Sequence, residues 1–189
     1  MFRHGEPIEE YHQKYVGHLD VPLSEIGKKQ ARKIRNSISL LRNPTVITSD
    51  LQRTFSELNL PLEQKKELRE INFGDWDGLS WDDVLRLFPQ DSKLFMKRSD
   101  HFTFPKGESY AQFTARIISQ FDKILDQSEG DLVFIVHAGV IRTIISTKFN
   151  IPLPEVFNFK IDYGKCTVLE RTNSHLTLLS LNESTSSGN

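Results

Sequence analysis

The chain has 189 residues, a length for one domain, and carries 24 Lys and Arg against 25 Asp and Glu, a formal net charge of −1. That balance excludes a generally basic nucleic-acid binder. The single cysteine, Cys166, excludes an internal disulfide framework and a four-cysteine zinc site, and no run approaches the ~18 apolar residues of a membrane helix. Met1-Phe2-Arg3-His4-Gly5 carries neither a long apolar stretch nor a small-residue cleavage site, so a cytoplasmic protein with no membrane partner is expected.

In chain order, the spacing first predicts a helix over Ser24 to Leu41. Gly27, Ala31, Ile34, Ile38 and Leu41 share one face, and Lys28, Lys29, Arg32, Lys33 and Arg35 lie mostly off it as a solvated face. Thr45 to Thr48 reads as a short strand. Ser49 or Asp50 is placed to cap a helix opening at Leu51, with Arg53 in its first turn. Ser80 to Asp83 resembles a capping box, for a helix that stops near Pro89. Residues 90–107 look irregular, and their aromatics Phe95, Phe102 and Phe104 suit a lid or a binding loop.

Ser109 to Gln112 forms a second capping box, ahead of a stripe of Phe113, Ile117, Phe121 and Ile124. Leu132 to Val136 is a continuous apolar run, suited to a strand buried on both faces of a parallel sheet. A helix is expected over Val140 to Phe149, and closing strands over Cys166 to Leu169 and Leu176 to Leu181. The pattern implies one domain over 1–182, a three-layer α/β/α sandwich with a mostly parallel central sheet, followed by a polar disordered tail over 183–189.

Reactive side chains concentrate in four places: Arg3 to Glu6, Ser49 to Thr54, Leu68 to Gly78, and Val136 to Gly139. In α/β sheets, ligands bind at the carboxyl ends of strands. His137 follows the strand 132–136 and Arg53 follows 45–48. Arg3 and His4 join them if Met1 and Phe2 end a first strand. Two arginines and two histidines on one rim suit a phosphoryl group: guanidinium grips its oxygens, one imidazole can attack phosphorus, and the other can donate to the developing charge. Glu70, between Leu68 and Ile71, is a candidate general acid, and a bell-shaped pH profile follows from that pairing. His4, His12 and His18 have spacing that fits a metal site poorly, so no metal is expected.

At these residues the sequence resembles the histidine phosphatase superfamily, which includes the cofactor-dependent phosphoglycerate mutases. Arg3-His4-Gly5, Gly17 to Ser24, Ser49 to Thr54, Glu70 to Gly78 and Val136 to Arg142 follow in family order, and the match runs to about Leu181. The resemblance implies a phosphoglycerate mutase-like fold and a phosphomonoester hydrolase. His4 would become phosphohistidine, Arg3, Arg53 and His137 would cradle the phosphoryl group, and Glu70 would protonate the leaving group. Gly5, Gly17, Ala138 and Ser109 are further candidates for phosphate or substrate contact. No metal or organic cofactor and no nucleic acid is implied; the partner is a small phosphorylated metabolite.

Phe104 to Ser109 and Phe73 to Trp76 resemble the α-ribazole phosphatases within the group, and also occur in broad-specificity bacterial phosphatases. A phosphoglycerate mutase-type transferase and an inactive phosphate-binding protein are the alternatives. The sequence departs from the family pattern twice. Glu10 stands where many members carry an asparagine, and is expected to point away from phosphate. Only Met1 and Phe2 precede Arg3, so a shortened first strand is expected in mid-sheet.

Overall fold

The computed structural model describes residues 1–97, 102–172 and 175–185. Its strands are β1 (Phe2–Arg3), β2 (Thr45–Thr48), β3 (Glu63–Gln64), β4 (Leu132–Val136), β5 (Cys166–Thr172) and β6 (His175–Glu183), and its main helices are α1 (Glu25–Ile38), α2 (Trp81–Leu87), α3 (Pro89–Met96), α4 (Tyr110–Gln127) and α5 (Ala138–Lys148). The strands form one sheet in the order β3-β2-β4-β1-β5-β6. The pairs β2/β3, β2/β4 and β1/β4 are parallel; β1/β5 and β5/β6 are antiparallel. No helix among the described residues is long and apolar enough to cross a membrane.

Period-2 alternation along the strands builds the two outer layers. On β4, Val133 and Ile135 join Phe2, Val46 and the Ile34 and Ile38 stripe of α1 in one buried cluster. Phe134 and Val136 point the other way, into a second cluster with Ile47, Phe113, Ile117 and Phe121, and with Ile141 and Ile144 of α5. These two cores give the expected three layers. They also explain why the β4 run is apolar at every position: both of its faces are covered.

Several local expectations need correction. The segment 90–107 is not wholly irregular, because α3 starts on Pro89, whose fixed φ suits a first helical turn. Phe95, Phe102 and Phe104 do not form a lid; they stack around the fully buried Trp76, with ring centroids 5.2–5.6 Å from its own. Residues 98–101 lie outside the described residues. Arg53 sits in a single 3-10 turn, Gln52–Thr54, with Leu51 at the cap position and no side-chain cap. Helix α1 stops at Ile38, leaving Leu41 beyond it and 41% exposed. Glu183, expected in the tail, pairs with Cys166 as the last residue of β6; residues 186–189 of that tail lie outside the described residues.

Strand β1 is as short as the sequence implies. Phe2 and Arg3 pair with Ile135 and Val136, and Phe2 also faces Cys166 on β5. Below that rung, β4 and β5 flank a cavity of about 730 Å³ lined by Leu132, Phe134, Val168 and Leu176, among others.

Candidate active site

Parallel strands β1, β2 and β4 end on the same edge, and each delivers a reactive residue within a few positions. The His4 amide donates to Val136 O at 3.0 Å, so the turn after β1 stays on the β4 ladder and brings His4 beside His137, the N-cap residue of α5. The two imidazoles are buried, with ring centroids 5.0 Å apart.

His4 Nδ1 lies 2.7 Å from Gly5 O. A carbonyl only accepts, so Nδ1 carries the hydrogen and Nε2 keeps its lone pair. Burial, then the charges of Arg53 and Arg3, hold His4 well below the ordinary imidazole value, so the ring is neutral at neutral pH. His137 is pushed down in the same way, by burial and then by Arg53. Its Nε2 meets Ser49 Oγ at 2.9 Å. Thr54 gives its only hydroxyl hydrogen to backbone carbonyls, and the Leu51 amide donates to Ser49 Oγ. The Ser49 hydrogen is then best used on His137 Nε2, which leaves the ring proton on Nδ1 as a donor.

Arg53 is 2% exposed. Its Nη1 donates to Leu19 O at 2.8 Å and its Nη2 to Gly17 O at 2.7 Å. That loop is itself gathered by Asp77, whose carboxylate accepts the amides of Gly17, His18 and Leu19 at 2.7–3.1 Å. Burial lowers the Arg53 guanidinium to about 10, and it stays charged at neutral pH. Arg3 donates through Nη1 to Ile161 O at 2.6 Å, and its guanidinium carbon lies 3.5 Å from the centre of the Tyr163 ring. Arg3 Nε, Arg53 Nε and His137 Nδ1 are buried and have no hydrogen-bond partner among the described residues. Buried donors of this kind are ordinarily satisfied, and these suit the oxygens of an anion.

Glu70 closes the site from the side. Its Oε2 accepts the Gly139 amide at 2.9 Å, in the first turn of α5, and its Oε1 accepts the Ile71 amide at 3.0 Å. A Cβ on Gly139 would stand 2.1 Å from Glu70 Oε1, so only glycine admits the carboxylate there. The nearby Tyr110 hydroxyl is pushed up to about 12, by burial and then by the Glu70 charge.

His4, His137, Arg3, Arg53 and Glu70 therefore surround one site, as their positions in the sequence imply. Gly5 fixes the His4 tautomer, and its lack of a side chain lets this loop lie against α1, where a Cβ would stand 2.3 Å from Gly27 O. Ala138 starts α5 beside the site. Gly17 takes a different part: its amide is committed to Asp77, and its carbonyl holds Arg53. Ser109 uses its hydroxyl as the α4 cap, accepting the Gln112 amide, instead of facing the imidazoles. Glu10 is exposed on a 3-10 turn. Ser49 and Asp77 lie inside segments singled out from the sequence, yet their partners are 88 and about 60 positions away. Tyr163 carries no sequence signal at all.

Fold and site together define an α/β protein that gathers two neutral imidazoles, two guanidiniums and a carboxylate at one edge of its sheet. Residues 1–184 match the model of the histidine phosphatase superfamily (branch 1), and the chain belongs to that family. It is accordingly a histidine phosphatase. Phosphoglycerate mutase-like protein 4 of Arabidopsis thaliana is 30% identical over 153 residues, 75% of this chain and 66% of that protein. The adenosylcobalamin/α-ribazole phosphatase of Escherichia coli is 24% identical over 190 residues, 96% of this chain and 94% of that one. Among solved structures, the α-ribazole phosphatase from Shigella flexneri superposes with a TM-score of 0.88 at 23% identity, covering 100% of this chain and 98% of that one, a likeness of fold.

Proposed function

We propose that the protein hydrolyses a small phosphomonoester through a phosphohistidine at His4. The observation that carries this reading is the neutral His4, its Nε2 lone pair free, beside three buried donors that have no hydrogen-bond partner among the described residues. In the first step Nε2 attacks phosphorus, the P–O bond breaks with its electron pair on oxygen, and Glu70 supplies the proton to that oxygen. In the second step water attacks the phosphohistidine, Glu70 takes the water's proton, and the N–P bond breaks to restore neutral His4. Arg3, Arg53 and His137 hold the three phosphoryl oxygens, whose charge they meet in a site shielded from water. No residue in this scheme calls for a metal or an organic cofactor.

For the substrate, we propose α-ribazole 5'-phosphate as the first candidate, on the support of the Escherichia coli relative named for it. Phosphate release should be measured on a panel holding α-ribazole 5'-phosphate, phosphoserine and 3-phosphoglycerate, the last with and without a bisphosphorylated primer. Hydrolysis, with acid-labile phosphate on the wild-type protein and none on His4→Ala, is the expected result. Phosphoryl isomerisation with primer would make the protein a mutase instead. Equal turnover by His4→Ala would end the phosphohistidine reading.

A further inference from the structure

Glu70 sits on irregular backbone, between 3-10 turns at Lys66–Leu68 and Gly74–Trp76. A proton donor on such a segment needs to be held to a fraction of an ångström, and neither a helix nor a strand does it here. One guanidinium takes over that task. Arg116, on the second turn of α4, donates through Nη1 to Glu67 O at 2.7 Å and Arg69 O at 3.1 Å, and through Nη2 to Glu70 O at 3.3 Å. The same guanidinium pairs with both oxygens of Glu108, Nη2 to Oε1 at 2.5 Å and Nε to Oε2 at 3.3 Å. Glu108 Oε1 also accepts the Asn72 amide at 2.8 Å, and the Glu108 amide donates to Asn72 O at 3.0 Å. The pair is therefore attached to residues 67, 69, 70 and 72, on both sides of Glu70. It is well covered, with side-chain exposures of 23% for Arg116 and 14% for Glu108.

We propose that the Glu108–Arg116 pair is a positioning device for proton transfer by Glu70. It fixes the backbone that aims the carboxylate and leaves the phosphoryl pocket to Arg3, Arg53 and His137. The proposal rests on the reading of Glu70 as proton donor. A planar fork with five donors can hold three carbonyls and a carboxylate at once, and an ammonium on a flexible stem cannot. The effect should thus appear where the leaving group needs a proton, and nowhere else in the reaction.

The test compares kcat/KM, which reports the steps through phosphoenzyme formation, on p-nitrophenyl phosphate and on an alkyl phosphate. Nitrophenolate leaves unprotonated; an alkoxide does not. Arg116→Met, Arg116→Lys and Glu108→Gln should each lose about 10- to 100-fold on the alkyl phosphate, part of the full contribution of a general acid, and far less on the aryl phosphate. Glu70→Gln is the reference, with a larger loss of the same selectivity. Should Glu70→Gln be selective while the pair variants lose both substrates equally, or neither, the positioning role is wrong. Should Glu70→Gln itself lose both equally, the assignment of Glu70 fails, and the proposal with it. Arg116→Met is the variant most exposed to misfolding. Thermal melting identifies that case, and Arg116→Lys and Glu108→Gln then carry the test.

Discussion

The two ends of the β1/β4 pair could hardly differ more. At the carboxyl end, Val136 and Arg3 lead directly into His137 and His4, whose rings meet Ser49 Oγ at 2.9 Å and Gly5 O at 2.7 Å. At the amino end, the same two strands border a cavity of about 730 Å³ whose lining mixes Leu132, Phe134 and Val168 with Asp131, Glu170 and Arg171. The contrast teaches that so short a strand is anchored at its carboxyl end by backbone bonds beyond the ladder. The backbone past β1 is tied by its own bonds: the Arg3 amide to Lys165 O, the His4 amide to Val136 O, and the Gly164 amide to the carbonyls of Arg3 and His4, all at 3.0–3.1 Å. So short a strand delivers the site because four backbone groups, the amides and carbonyls of Arg3 and His4, are committed to neighbours.

That view predicts that damage at the carboxyl end is chemical and damage at the amino end is structural. The largest effect belongs to His4→Ala. Turnover should fall by about 10⁴-fold or more, the scale seen when a covalent nucleophile is removed, while the melting temperature stays near wild type. A large drop in melting temperature would instead make His4 a keystone of the fold. Next comes Arg53→Met, which removes a charge from the phosphoryl group. By analogy with the loss of one oxyanion donor it should cost about 3–4 kcal/mol in kcat, and a steady-state assay on the best substrate of the panel checks it.

A third expectation uses pH. His4 and His137 are held below the ordinary imidazole value of 6.5. In the folded protein they stay neutral while the unfolded chain binds protons below that value. The unfolded state then gains protons as pH falls, so stability is lost below pH 6.5 and restored above it. The two groups together contribute a slope of up to about 2.7 kcal/mol per pH unit. Urea melts between pH 7.5 and 5.5 measure it, and His4→Ala should flatten the slope. An unchanged slope in that variant would mean that His4 takes up protons in the fold as it does in the unfolded chain.

Much of this molecule is legible in its sequence, for identifiable reasons. The Phe113, Ile117, Phe121, Ile124 stripe and the 132–136 run are written in local periodicity, and the Ser80 and Ser109 caps in local hydrogen bonding. His4, Arg53, Glu70 and His137 each follow a recognisable strand or sit in a dense motif. What stayed hidden depends on distant partners. The resemblance offers Ser109 as a substrate contact, yet its own helix uses the hydroxyl as a cap. Its neighbour Glu108 reaches Asn72 and Arg116, a link that no spacing rule contains. The loop aromatics were ambiguous for a similar reason. Only the position of Trp76, some 19 to 28 residues earlier in the chain, decides whether Phe95, Phe102 and Phe104 face inward or line a lid.

The smallest expected effect tests the amino end directly. Ile135 is 1% exposed and backed by Phe2, so truncating it to alanine opens a new hole in filled space, at about 2–5 kcal/mol. Leu132 is only half-buried and already borders the cavity. Its truncation removes fewer contacts, because the atoms it loses had few neighbours on one side, and about 1–2 kcal/mol is expected. Denaturant melts should rank the pair in that order. Both variants should retain kcat, since neither touches the backbone bonds that hold Arg3 and His4. Equal losses of stability would mean that the cavity is not a weak point of the packing. A fall in kcat for Leu132→Ala would couple the two ends of the strand and remove the separation between them.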